Sequence, residues 1–163
     1  MKKTAGIAAA AALLAALWGL PLRGCDVAEL RPVRTVVVSR DGTEFTVDAG
    51  VGVLGRGDSL TRALAELEEA APGHLFFRTA EQVVVTASAA GDLAEVVRQE
   101  AFRPGAGLYL TPEPAPDPEA LGEYLASHSS NVTLIRVRGD LAEGREPRVP
   151  VIVPADGGWL VYA

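Results

Sequence analysis

The chain has 163 residues, of which 48% are apolar, and its 15 basic and 21 acidic residues give a formal charge of −6. This length is sufficient for one domain with a hydrophobic core, and the excess of acid argues against nucleic acid or anionic lipid as partners, because both attract clustered cations. One cysteine and two widely separated histidines argue against an internal disulfide and against a metal site.

The amino-terminal segment, residues 1–24, has the pattern of a secretion signal. Lys2 and Lys3 precede an uncharged apolar run over 4–22. Two alternatives stay open. One is a buried amino-terminal helix of the fold, although a helix over this run has no polar face for water. The other is an uncleaved membrane anchor, which needs about 20 apolar residues. With either a signal or an anchor, the lysines stay in the cytoplasm and the chain after Cys25 lies outside.

The end of this run resembles the lipobox of bacterial lipoproteins. That signal needs a thiol that accepts diacylglycerol and a small residue before it, so that the signal peptidase can cut. Leu22, Gly24 and Cys25 fit the pattern, whereas Arg23 stands where a small or apolar residue is usual. We therefore predict lipidation of Cys25 with more than one acyl chain, palmitate among them, because a single chain anchors only marginally. The alternative is a free thiol on an uncleaved anchor.

The segment after the cysteine predicts a β-hairpin. Residues 36–38 are three valines, typical of a buried strand, and Asp41-Gly42 is a strong turn signal. Apolar and polar residues then alternate over 45–51, the period of a strand with one buried face. The glycine-rich residues 50–57 lack the G-K-[ST] ending of a phosphate loop and are predicted to form a flexible turn.

The next segment has the helical period. Apolar residues recur at intervals of three, four and seven positions: Leu60, Ala63, Leu64 and Leu67. Asp58 or Ser59 is predicted to cap the first N–H groups of this helix, and Pro72-Gly73 to end it.

The remaining chain predicts alternating strands and helices. They are a strand over 83–85, a helix with Leu93, Val96, Val97 and Ala101 on one side, a strand over 105–112, a helix that begins at Pro118 behind an Asp117 cap, a strand over 131–141, and two short strands around Gly157-Gly158. This order predicts one α/β (α+β) domain after the signal segment, with a mixed β-sheet and about three helices.

No catalytic residue is predicted. There is no G-x-S-x-G motif, His74 follows the end of a helix, and His128 lies near the end of another, where an exposed imidazole favours the helix dipole. Glu68 and Glu69 are adjacent on a helix and point apart. We expect no enzymatic activity, no cofactor and no metal.

Four stretches of the chain carry a resemblance to a known family. They are GCDVAELRPVRTVVVSRDG, SLTRALAELEEAAPGHLFFRTAEQVVVTASAAGDLAEVVRQ, RPGAGLYLTP and VPVIVPADGGWLVYA. Their order resembles the N-terminal domain of the Ger(x)C family, the lipoprotein subunit of bacterial spore germinant receptors. Family members are longer and have further domains, and Asp26 stands where the family commonly has an aromatic residue.

The resemblance implies a Ger(x)C-like N-terminal domain over 25–148 and, over 149–163, a short β stub similar to the start of the family's second domain. It implies a non-catalytic lipoprotein at the extracytoplasmic face of the cell membrane or the spore inner membrane. Such a protein would act in spore germination through contacts with membrane-embedded receptor subunits. The alternative function is an extracytoplasmic lipoprotein that binds a small solute.

Overall fold

The computed structural model describes residues 30–156 and 158–162. The predicted signal residues Leu22 and Gly24 and the predicted lipidation site Cys25 lie outside the described residues. The described part contains these elements in chain order: β1 (Leu30–Pro32), β2 (Thr35–Asp41), β3 (Glu44–Asp48), β4 (Leu54–Gly57), α1 (Leu60–Ala70), β5 (His74–Phe76), β6 (Gln82–Thr86), α2 (Leu93–Arg98), β7 (Gly107–Thr111), α3 (Pro118–Ser127), α4 (Leu134–Ala142), β8 (Val151–Ala155) and β9 (Gly158–Tyr162).

Seven strands form one mixed sheet in the order β4-β3-β2-β6-β7-β8-β9. The four strands β2, β6, β7 and β8 run parallel, while the β2–β3 and β8–β9 hairpins are antiparallel. β1 and β5 form a separate parallel ribbon. The predicted α/β (α+β) class, with a mixed sheet in a single domain, is confirmed.

Helices α1, α2 and α4 cover one face of the sheet. The four predicted core residues of α1, from Leu60 to Leu67, are all buried. α1 lies close to β4 because Gly55 has no side chain: a Cβ there would lie 2.0 Å from the carbonyl oxygen of Ala63. The prediction of a flexible turn is therefore wrong for the second half of the glycine-rich segment, which forms a strand beneath a helix.

Helix α3 packs on the opposite face and reaches from β2 to β9. It begins as predicted, with Pro118 in its first turn and the Asp117 side chain accepting a hydrogen bond from the Ala120 N–H at 2.8 Å. Its buried residues Leu121 and Leu125 pack in a second, smaller core. The sheet is thus buried between helices on both faces.

The strand predicted over 131–141 is instead helix α4, which brings the number of helices in the described part to four. Val137 is 1% exposed and Ile135 is 59% exposed, although a strand would place both on one face. Leu134, Val137 and the half-buried Leu141 recur at helical intervals instead. Their β-branched neighbours favoured the strand, but packing against α2 decided the helix.

Within the described ranges, every helix is too short or too polar to cross a lipid bilayer.

Candidate functional site

A cleft of about 450 Å³ opens between α2, together with the loop that follows it, and α4. Three buried apolar side chains, Val97, Phe102 and Leu134, form its wall. The ring of Phe102 is held edge-on against Phe77, with 6.4 Å between the ring centroids. A cleft of this volume with an apolar wall lies in the range of small-molecule sites.

Three charged side chains line the rim of the cleft: Arg78, Glu100 and Arg138. All three are exposed. Two cations and one anion leave the rim with one positive charge in excess. Among the described residues, none of the three side chains takes part in a hydrogen bond or ion pair. Their charges are therefore available to a ligand.

Backbone hydrogen bonds hold both sides of the cleft in place. The N–H groups of Leu134 and Ile135, at the start of α4, donate to the carbonyl oxygens of Ala106 and Pro104 at 3.0 and 2.9 Å. Arg78 lies in a short 3₁₀ helix over 77–79. The cleft is thus formed by the packed domain and does not need a ligand to create it.

A network of hydrogen-bonded polar side chains lies where the parallel strands β2, β6 and β7 end. Open α/β sheets commonly bind ligands at this edge. Here the Ser88 hydroxyl donates to Glu113 Oε1 at 2.6 Å and accepts from the Arg40 N–H at 3.0 Å. The Arg40 guanidinium pairs with Asp92 and lies over the ring of Phe45, 4.8 Å from its centroid. Each member of this network is already bonded to another.

The hydrogen bond from Ser88 holds the pKa of Glu113 below its usual range, with a smaller contribution from Thr86. A carboxylate with a lowered pKa is a weak general base and does not activate the hydroxyl that it binds. The network therefore joins the ends of three strands and is poorly suited to nucleophilic chemistry.

The structure keeps the two histidines apart. His74 is exposed at the start of β5, and His128 is exposed at the end of α3, where its ring stacks on Tyr124 with 4.1 Å between centroids. Glu68 and Glu69 are both exposed on α1. Among the described residues, no three potential ligands lie close enough together to hold a metal ion.

The sequence analysis singled out none of the charged residues at the rim of the cleft. Arg78 and Arg138 come from distant segments, and one of those segments was predicted to be a strand, so no local pattern brings the two arginines together. No protein-family model matches the chain, and no curated protein or solved structure is significantly similar to it.

Proposed function

We propose that the chain is a non-catalytic lipoprotein anchored through Cys25 at the extracytoplasmic face of a bacterial cell membrane or spore inner membrane. Its role would be that of the lipoprotein subunit it resembles, acting through protein contacts with membrane-embedded germinant-receptor subunits. The observation that carries the proposal is the basic start, apolar run and Leu22–Cys25 lipobox-like ending of the amino-terminal segment.

The short distance from Cys25 to the folded domain supports this arrangement. Leu30, the first residue of β1, follows Cys25 by five residues, which span at most about 18 Å when fully extended. An acylated Cys25 would therefore keep the start of β1 within about 18 Å of its anchoring point in the leaflet. Phe76, at the end of β5, is exposed on the β1–β5 ribbon.

Exposed apolar side chains on the β8–β9 hairpin, at one edge of the seven-stranded sheet, support a role in protein contacts. Val151, Leu160 and Tyr162 are exposed, and Val151 pairs directly with Tyr162 across the β8–β9 hairpin. Leu160 shares the face of Tyr162, because residues two apart in a strand point the same way. Grouped exposed apolar residues are typical of contact surfaces.

Metabolic labelling with an alkyne analogue of palmitate tests the anchor. We expect the wild-type chain to be labelled and to sediment with membranes, and Cys25→Ser to abolish the labelling. Leu22→Asp should also abolish labelling, whereas Arg23→Ala, which brings the segment closer to the usual lipobox, should retain it. An unlabelled wild-type chain with an intact amino terminus would overturn the proposal.

The germination role has its own test in the host strain. Deletion of the gene should slow germination, and a wild-type copy should restore the rate whereas a Cys25→Ser copy should not. Normal germination of the deletion strain would contradict the role in germination and would leave the anchor unaffected.

The cleft between α2 and α4 supports a second candidate function, an extracytoplasmic lipoprotein that binds a small solute. Its volume of about 450 Å³ and apolar wall suit a small ligand. Saturable binding by the isolated protein would favour this function over one confined to protein contacts.

A further inference from the structure

We propose that the cleft between α2 and α4 binds a small organic monoanion, with one carboxylate or similar group attached to an apolar body. The inference deepens the second candidate function and is independent of the lipid anchor. It rests on the combination of a buried apolar wall, formed by Val97, Phe102 and Leu134, with two exposed arginines in the lining of the same cleft.

The charge of the rim selects the anion. Arg78 and Arg138 line the cleft together with one acid, Glu100, so the site neutralises a single negative charge. Guanidinium groups bind carboxylates through paired, charge-assisted hydrogen bonds. Because the whole chain carries a charge of −6, attraction for an anion must come from these local cations.

The wall selects the apolar body. An aromatic or branched aliphatic group would pack on Phe102 and Leu134 and would cover part of Ile135, which lines the cleft and is 59% exposed. Removal of this apolar surface from water favours binding. A purely inorganic anion would lack this contribution and should bind more weakly.

Fluorine NMR of small probes tests the inference on the purified membrane-bound protein in lipid nanodiscs. The probe is 4-(trifluoromethyl)benzoate, and its matched partners are the neutral 4-(trifluoromethyl)benzamide and the cationic 4-(trifluoromethyl)benzylamine. We expect saturable broadening of the benzoate signal with an affinity at least about fivefold above that for either partner, beyond the signal from empty nanodiscs. Equal affinities for the three probes, or no saturable binding of the benzoate, would overturn the inference.

Variants locate the binding site. Because both arginines are exposed, Arg78→Gln and Arg138→Gln should each weaken benzoate binding by about threefold to fivefold. Arg56→Gln is the matched control, since it removes the same charge from an exposed position on the edge strand β4, outside the lining of the cleft, and should change the affinity by less than about twofold. Unchanged affinity in both cleft variants would place the probe elsewhere and overturn the inference.

A filling variant provides a test independent of charge. Gly139 lines the cleft, and a Cβ built there meets no atom within 4 Å, so Gly139→Leu should fill the cleft without a clash at its first side-chain atom. We expect this variant to unfold at or above the wild-type temperature and to lose benzoate binding. Full binding by a folded Gly139→Leu would contradict the inference. Cys25→Ser should bind the probe normally, which separates this test from that of the anchor.

Discussion

The side chain of Glu95 in α2 caps the start of α1: its Oε1 accepts a hydrogen bond from the Leu60 N–H at 2.8 Å. Asp58 and Ser59 were the predicted caps. Ser59 occupies the capping position, but its side chain forms no bond to the helix, and the Asp58 carboxylate bonds to the Ser59 hydroxyl instead. A tertiary contact between two helices therefore replaces the local cap that the sequence predicted.

Replacement of Glu95 should weaken this contact. We expect Glu95→Ala to lower the free energy of unfolding by about 1 kcal/mol, the usual effect of losing a helix cap. Glu68→Ala, on the exposed face of α1, is the control and should change it by less than about 0.5 kcal/mol. Urea unfolding measures both. Equal stability of the two variants would show that the Glu95 bond contributes nothing.

Two glycine-to-alanine variants should have opposite effects on stability. At Gly55 a Cβ would lie 2.0 Å from the Ala63 carbonyl oxygen and 2.5 Å from Leu67 Cβ. Gly55→Ala should therefore separate β4 from α1 and cost about 2 to 3 kcal/mol. Gly139 in α4 has open space, so Gly139→Ala should raise the stability by about 0.5 to 1 kcal/mol through helix propensity. Thermal unfolding tests the pair, and a neutral Gly55→Ala would contradict the close packing.

The hydrogen bond from Ser88 to Glu113 leads us to expect a loss of stability in acid. The pKa of Glu113 is lowered in the folded state, mainly by the Ser88 hydrogen bond. The folded chain therefore keeps this carboxylate ionised to a lower pH than the unfolded chain. Its contribution to stability is present above the unfolded pKa of about 4.3 and is lost as the pH falls through the folded pKa.

Carbon-13 NMR titration of the Glu113 carboxyl group measures this effect directly. Ser88→Ala should raise the pKa of Glu113 towards its usual value, because the largest cause of the lowering is removed. Ser127→Ala is the control and should leave the pKa of Glu113 unchanged, since the Ser127 hydroxyl bonds to the Tyr124 carbonyl oxygen in α3. The same pKa in the wild type and in Ser88→Ala would refute this assignment.

The buried hydroxyl of Tyr109 leads us to expect a loss of stability in alkali. Burial raises the pKa of its hydroxyl, and the hydrogen bond from the Ser130 N–H at 2.7 Å offsets only part of this. The unfolded tyrosine ionises first, so the contribution is full below about pH 10 and is lost as the pH rises through the folded pKa.

Replacement of Tyr109 by phenylalanine separates the contribution of the Ser130 hydrogen bond from that of the ionisation of the hydroxyl. Tyr109→Phe should cost about 1 kcal/mol near neutral pH, because the Ser130 N–H loses its acceptor, and should reduce the loss of stability above about pH 10. Tyr162→Phe, at an exposed position, should leave both unchanged. Urea unfolding at a series of pH values measures the difference. A Tyr109→Phe variant with the wild-type alkaline slope would contradict the assignment.

Elements whose signals are local were predicted correctly. The period of Leu60 to Leu67 predicted α1, the Asp117-Pro118 pair predicted the start of α3, and the Asp41-Gly42 turn predicted the first hairpin. In these cases hydrogen bonding and side-chain spacing within a few residues are sufficient to select the structure.

Elements whose structure depends on distant neighbours were not predicted. α4 has the composition of a strand and becomes a helix because Leu134 and Val137 pack in the core shared with α2. β4 contains two glycines, and α1 packs directly on this strand because neither Gly55 nor Gly57 has a side chain that would separate them. Local propensity is weaker than such packing.

The amino-acid sequence by itself determined the amino-terminal lipobox-like pattern, the α/β class and the helices and strands with strong periodicity, because these depend on residues that are near one another in the chain. Tertiary structure decided the helix at α4, the cap from Glu95 and the cleft that brings Arg78 and Arg138 together. The physical reason is that burial and electrostatic fields depend on distances in space, and only the packed domain brings residues from separate segments within range of one another.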